Sequence, residues 1–219
     1  MIGWTVRKYF PQAGRILEVA CGRGSVTVEL ERSFPQGIVI AGDVIPDGFA
    51  YARRVLGRVP LLQMDIHHLP FRGDFDVACA FDVLEHLDDD GGGLVALREA
   101  VRPGGGVVLT VPQHPSLWSA SDDFARHRRR YTRSELRARI EGAGLRVIRL
   151  TSFTSMLLPL MALSRWMPRK QYDPVAELRI GSATNAVFSA LSAIERAVIA
   201  AGVSLPAGGS LLAVAVRPA

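Results

Sequence analysis

Residues 15–33, RILEVACGRGSVTVELERS, pass from a buried strand through a glycine turn into a helix, and few folds can use such a run. The apolar stretch carries Glu18 near its end, Gly22 and Gly24 follow, and an amphipathic pattern opens at Ser25. Glycine accepts positive φ and lets the backbone come close to a ligand, so a nucleotide-type cofactor is expected on this turn. Ala20 stands where a third glycine often sits.

Apolar runs near 15–20, 37–42, 59–64, 75–81, 106–111, 145–152 and 210–217 alternate with helical segments near 25–33, 47–57, 91–102 and 132–143. This alternation predicts an α/β fold, a mostly parallel sheet covered by helices on both faces. Pro103 with Gly104 to Gly106 is expected to stop one helix and launch the fifth strand. Thr132 with Glu135 reads as a capping-box helix start. Three further strands end in carboxylates. GIVIAGD closes on Asp43, about 20 residues beyond the turn, where an acid meets ribose hydroxyls. VPLLQMD closes on Asp65, before Ile66, and FDVACAFD closes on Asp82 and runs into VLEHLDDD.

These strand-end motifs, followed by RPGGGVVLTVP and EGAGLRVIRLTSF, resemble the class I S-adenosylmethionine-dependent methyltransferases. The likeness is strongest to the small-molecule branch that includes ubiquinone-biosynthesis O-methyltransferases, and it covers roughly residues 14–152 plus the last strand. The resemblance implies a Rossmann-like seven-stranded sheet of order 3-2-1-4-5-7-6, the last strand antiparallel. It implies S-adenosyl-L-methionine as cofactor, S-adenosyl-L-homocysteine as product, and a small-molecule acceptor, with hydroxyl oxygen ahead of carbon or nitrogen. It sets Gly22 and Gly24 against the methionine tail and ribose, Glu18 toward the ammonium, and Asp43 on both ribose hydroxyls. Asp65 takes the adenine amino group, Ile66 and Val44 the ring faces, and Phe81 and Asp82 the sulfonium end. Capping stays open as the alternative for Asp43 and for Asp65.

On the acceptor side the resemblance points to His86, in LEHL, as base, with Glu85 orienting it or facing the cofactor; a structural hydrogen-bonding role for His86 is the open alternative. His127, in ARHRRRYT, is the second candidate, with Trp118, Asp122, Arg130 and Tyr131 as the wall that contacts substrate. The alternative is an exposed basic loop with Arg128 and Arg129 solvated. His67 and His68 read as surface groups, and no metal site is expected.

Other classes are weighed against this. A nicotinamide-dependent oxidoreductase would want a third glycine where Thr27 stands, and a non-catalytic binder of the same fold stays open. Methylation of nucleic-acid bases usually relies on an Asn/Asp-Pro-Pro-aromatic run after the fourth strand, which DVLEHL is not, so no nucleic-acid partner is expected. The net charge of +5 is carried almost wholly by arginine, a bias that GC-rich codons also produce. Cys21 and Cys79 read as small buried thiols, and without a basic-apolar-small leader the expectation is a reducing cytoplasm. A length of 219 residues fits one domain, 1–219.

Two departures from the resembled family stand out. Only about a dozen residues precede the first strand, where relatives carry covering helices. Residues 155–203 form an apolar insertion before the last strand. TSMLLPLMALSRWMP, interrupted at Pro159, and NAVFSALSAIERAVIAAG, carrying Glu195 and Arg196, suggest two helices, neither able to span a bilayer. They are expected either to pack at the sheet edge or in a homodimer, or to form a lid. Met156, Leu157, Leu160, Met161 and Trp166 would line that lid, suiting an apolar acceptor or peripheral membrane contact.

Overall fold

The computed structural model describes residues 1–166 and 181–219. Seven strands make one sheet: β1 (Arg15–Val19), β2 (Ile38–Asp43), β3 (Leu61–Gln63), β4 (Phe75–Phe81), β5 (Val101–Pro112), β6 (Arg146–Phe153) and β7 (Ser210–Val216). Their order is β3-β2-β1-β4-β5-β7-β6, with β7 antiparallel to both its neighbours, as the resemblance implied. The helices are α1 (Ile2–Tyr9), α2 (Ser25–Ser33), α3 (Phe49–Val55), α4 (Asp90–Ala100), α5 (Ala120–Phe124), α6 (Arg133–Gly142), α7 (Leu158–Trp166) and α8 (Ser182–Ala200).

Successive side chains of the central strands point to opposite faces, and both faces are buried. Ile16, Val39, Val77, Val108 and Val214 join Val6 of α1 and Leu30 and Phe34 of α2 in one apolar cluster. Leu17, Ala78, Val107 and Ala213 join Leu94 and Leu97 of α4 and Leu136 and Ile140 of α6 in the other. Cys21 and Cys79 are free and buried, and burial pushes the Cys21 thiol up to about 12.

Several boundaries differ from the sequence reading. The residues before β1 form a helix, α1, which packs on α2. Helix α4 stops at Ala100, not near residue 102, and β5 begins at Val101 ahead of Pro103, because a residue preceding proline is pushed out of the helical region. Thr132 and Glu135 do form the reciprocal capping box of α6. A second box, Ser119 with Asp122, starts α5, an element the sequence reading passed over.

Both insertion helices are present between β6 and β7. Pro159 is the second residue of α7, where a missing N–H costs nothing, so it starts this helix and does not interrupt it. The side chain of Trp166 and all of Met167 and Pro168 lie outside the described residues. No helix among the described residues is long and apolar enough to cross a membrane.

Candidate active site

The carboxyl ends of β1, β2 and β4 open onto a cavity of about 410 Å³. Asp43, Val44, Asp65, Ile66, Asp82 and His86 line it, six residues singled out from the sequence and drawn from three different strand ends. Val19 and Ala20, at the end of β1, also line it, and Ile45, Met64, Val83 and Leu87, which were not anticipated, complete its apolar wall. Ile66 is buried while Val44 and Ile45 stand more than half exposed, so one flank of the cavity is fixed and the other faces water.

The turn after β1 is built under strain. Ala20 takes a φ of 59°, Gly22 52° and Gly24 78°. The alanine at the position where glycine is usual therefore keeps the left-handed conformation, at a cost of about 1–2 kcal/mol. Asp43 holds the turn in place: Oδ2 accepts from the Gly22 N–H at 2.9 Å and Oδ1 from the Ile45 N–H at 2.9 Å. It caps no helix, since neither α3 nor the short turn before it receives a side-chain cap. A Cβ on Gly48 would run into the Gly22 carbonyl, so Gly48 sets the back of the turn, a role no sequence signal announced. A Cβ at Gly22 itself would meet nothing within 4 Å, which leaves open space beside the turn.

Glu18 is 2 % exposed and its Oε2 has no hydrogen-bond partner among the described residues. Burial raises its carboxyl to about 7. Asp65 does act as a cap, accepting from the His67 N–H at 2.9 Å, and both His67 and His68 face it. His67 is more than a surface group, because its Nε2 also reaches the Asp89 carbonyl at 2.8 Å. Phe81 packs with the α1–α2 cluster and is not among the residues lining the cavity.

Next to the cavity lies a polar network, buried at Asp122 and Arg130 and open to water at Asp82 and His86. Asp82, at a φ of 54°, accepts from the Thr110 hydroxyl at 3.1 Å, and burial raises its carboxyl. Asp122 is 1 % exposed. Its Oδ1 accepts from Arg130 Nε at 2.7 Å and lies 2.9 Å from His127 Nδ1, while Oδ2 accepts from the Ser119 N–H. Burial pushes this carboxyl up, but Arg130 and His127 outweigh it and hold it below the usual range. An ionised carboxylate only accepts, so His127 Nδ1 carries a proton toward Asp122. His86 stacks edge-on against His127, centroids 4.8 Å apart, and burial followed by the His127 charge lowers its pKa.

Glu85 is fully buried with both oxygens unpartnered among the described residues, and burial followed by the Asp82 charge raises it to about 9. Glu85, His86 and His127 place one donor atom each within 4.8 Å of one another, the grouping among the described residues that could share a cation. Neither His67 nor His68 belongs to it.

The structure draws other members of the expected wall elsewhere. Tyr131 is buried, and its hydroxyl donates to Asp90 at 2.9 Å. Trp118 keeps its ring at the surface and donates to Asp123 at 2.9 Å. Arg129 is not merely solvated: it donates to the Leu87 and Asp88 carbonyls and pairs with Asp90 at 3.2 Å. Gln113 and His114 were missed. The Gln113 Oε1 and His114 Nε2 atoms are buried without partners among the described residues, and His114 takes a φ of 61° just past β5.

Strand order, antiparallel β7 and a carboxylate at the ends of β2, β3 and β4 define the methyltransferase type of Rossmann-like fold. The chain belongs to the methyltransferase-domain family, whose model matches residues 5–150. It is 32 % identical over 110 residues to an uncharacterised methyltransferase of Schizosaccharomyces pombe, covering 45 % of this chain and 40 % of that one. It is 30 % identical over 113 residues to a ubiquinone/menaquinone biosynthesis C-methyltransferase of Geobacter, covering 48 % of each. The chain thus spans less than half the length of these curated relatives. Among solved structures, a Burkholderia thailandensis 1,6-didemethyltoxoflavin N1-methyltransferase with bound S-adenosylhomocysteine shares the fold at a TM-score of 0.61. The two are 17 % identical, over 99 % of this chain and 76 % of that one.

Proposed function

We propose that the chain is an S-adenosylmethionine-dependent methyltransferase acting on a small-molecule hydroxyl, with His127 as base and Asp122 orienting it. The observation that carries this reading is the cavity whose wall combines Asp43, Asp65 and Ile66 with Asp82 and His86. The residues fit the donor: an unpartnered Glu18 Oε2, open space beside Gly22, and a ribose-height carboxylate with lone pairs to spare. In this reading Glu18 meets the ammonium, Gly22 and Gly24 the tail, Asp43 the ribose hydroxyls, and Ile66 and Val44 the adenine faces. Asp65 takes the adenine amino group with its remaining lone pairs.

When bound, S-adenosylmethionine supplies an electrophilic methyl on a sulfonium. His127 Nε2 accepts the acceptor's hydroxyl proton as the oxygen–methyl bond forms, and the electron pair of the breaking bond leaves with sulfur. Asp122 stabilises the resulting imidazolium, and Arg130 keeps Asp122 ionised. His86 walls the base and borders the cavity. Trp118, Glu85 and Tyr131 act around this centre, Tyr131 by fixing Asp90 at the start of α4.

The decisive experiment titrates S-adenosylmethionine and S-adenosylhomocysteine calorimetrically, then screens hydroxylated acceptors for homocysteine-product release. Binding without turnover of any acceptor would favour a non-catalytic binder, and binding of neither would discard both readings. Asp43→Ala is expected to weaken donor affinity by about 1.5–3 kcal/mol, the worth of hydrogen bonds to a charged group. Unchanged affinity would remove Asp43 from the ribose.

Glu18 adds a pH signature. Its free carboxyl titrates at about 7, and the donor's ammonium favours the ionised form. Below that pH, binding must release a proton. Affinity is therefore expected to rise with pH up to about 7 and to level off above it. A flat profile in calorimetry would take Glu18 out of the ammonium site.

A further inference from the structure

The Glu85 carboxyl has no part in holding the fold together. It is fully buried, and neither of its oxygens has a hydrogen-bond partner among the described residues. A polar group shut away from water is costly unless something meets it. The surrounding charges show what is short. Asp82 and Asp122 both act on Glu85, and the cation among its neighbours, Arg130, is already committed to Asp122 at 2.7 Å. Three carboxyls thus share one guanidinium, and the deficit is of positive charge.

Two imidazoles stand beside this carboxyl. His86 follows Glu85 in the turn after β4, and the Arg128 N–H donates to the Glu85 carbonyl at 2.6 Å. That bond ties the loop carrying His127 to the turn carrying Glu85 and His86. Each ring has an outer partner: Asp122 lies 2.9 Å from His127 Nδ1, and the Arg126 backbone hydrogen-bonds His86. Metal-ligating histidines are held in this way, one nitrogen on a carboxylate or the backbone and the other on the ion. One donor atom from each of Glu85, His86 and His127 lies within 4.8 Å of the others. Ligands of a shared tetrahedral ion stand roughly 3–3.5 Å apart, so side-chain rotations of about an ångström close the set.

We propose that Glu85, His86 and His127 form a three-ligand site for a divalent first-row transition cation, beside the strand-end cavity that His86 borders. Two imidazoles and a carboxylate favour zinc and its neighbours over magnesium or calcium, which take oxygen ligands, and they leave coordination positions open. No spacing in the sequence announces this set, because the fold alone brings His127 to Glu85 and His86. With Nδ1 turned to Asp122, His127 ligates through Nε2, the atom that the methyl-transfer reading uses as base. The loaded and base-competent forms therefore exclude each other. The site itself holds whether or not a methyl group is transferred, and its test uses neither donor nor acceptor.

Calorimetric titration of the tag-free chain, stripped with a chelator, with Zn²⁺ alone and with Mg²⁺ alone tests it. One Zn²⁺ per chain is expected, bound about a hundredfold or more tighter than Mg²⁺. Glu85→Gln keeps the shape of the side chain and removes its charge, and His86→Ala alters an exposed position. Each is expected to weaken Zn²⁺ binding about tenfold or more, with circular dichroism showing which variants are folded. His68→Ala, at the surface beside Asp65, is expected to leave the affinity unchanged. Absence of Zn²⁺ binding, equal affinity for Mg²⁺, or full Zn²⁺ affinity in either folded ligand variant overturns the proposal. So does loss of binding in His68→Ala, which would put the ion on the surface histidines instead.

Discussion

Replacing His127 with alanine is expected to lower kcat by about 10²–10⁴ while leaving the affinity for S-adenosylhomocysteine unchanged. The size follows from the role: a positioned base contributes that range, and His127 presents one free nitrogen because the other is committed to Asp122 at 2.9 Å. The donor cavity is lined by other residues, so binding has no reason to change. His86→Ala is the informative control. Its ring borders the cavity and stacks on His127, but no carboxylate is bonded to its second nitrogen. A smaller loss, shared between kcat and KM, is expected there. Should His86→Ala show the large loss and His127→Ala a small one, the base is His86.

Asp122→Ala is expected to destabilise the fold by about 3–5 kcal/mol in denaturant unfolding, the cost of breaking one side of a buried ion pair. Arg130 would be left 8 % exposed with only the Gln113 carbonyl to accept from it, and the Ser119 N–H would lose its cap. Asp122→Asn is expected to cost less, because an amide oxygen keeps an acceptor in place, yet to impair turnover through the wrong histidine tautomer. A loss in stability below about 1 kcal/mol for the alanine variant would mean that Arg130 escapes to water, and that the network is not the buried unit its geometry indicates.

The sheet was legible because buried parallel strands are nearly continuous apolar runs and because three of them led into a carboxylate at a readable interval. Asp43, Asp65 and Asp82 were found in this way, from position alone. Helix α1 was not: IGWTVRKY has no capping side chain before it, and Met1 supplies none. Helix α5 could have been found from Ser119 and Asp122, the same capping pattern that revealed α6. The pairing of Asp122 with His127 and Arg130 has no periodicity to betray it, because it depends on how the chain turns at Arg126, at a φ of 57°. Gly48 was invisible for another reason: its importance is the Gly22 carbonyl it leaves room for, a contact between distant turns.

Because β7 runs counter to its neighbours, a segment placed between β6 and β7 departs and returns at one end of the molecule. The α7–α8 stretch is thus a removable cassette. Evolution can exchange it without disturbing a single residue that lines the strand-end cavity.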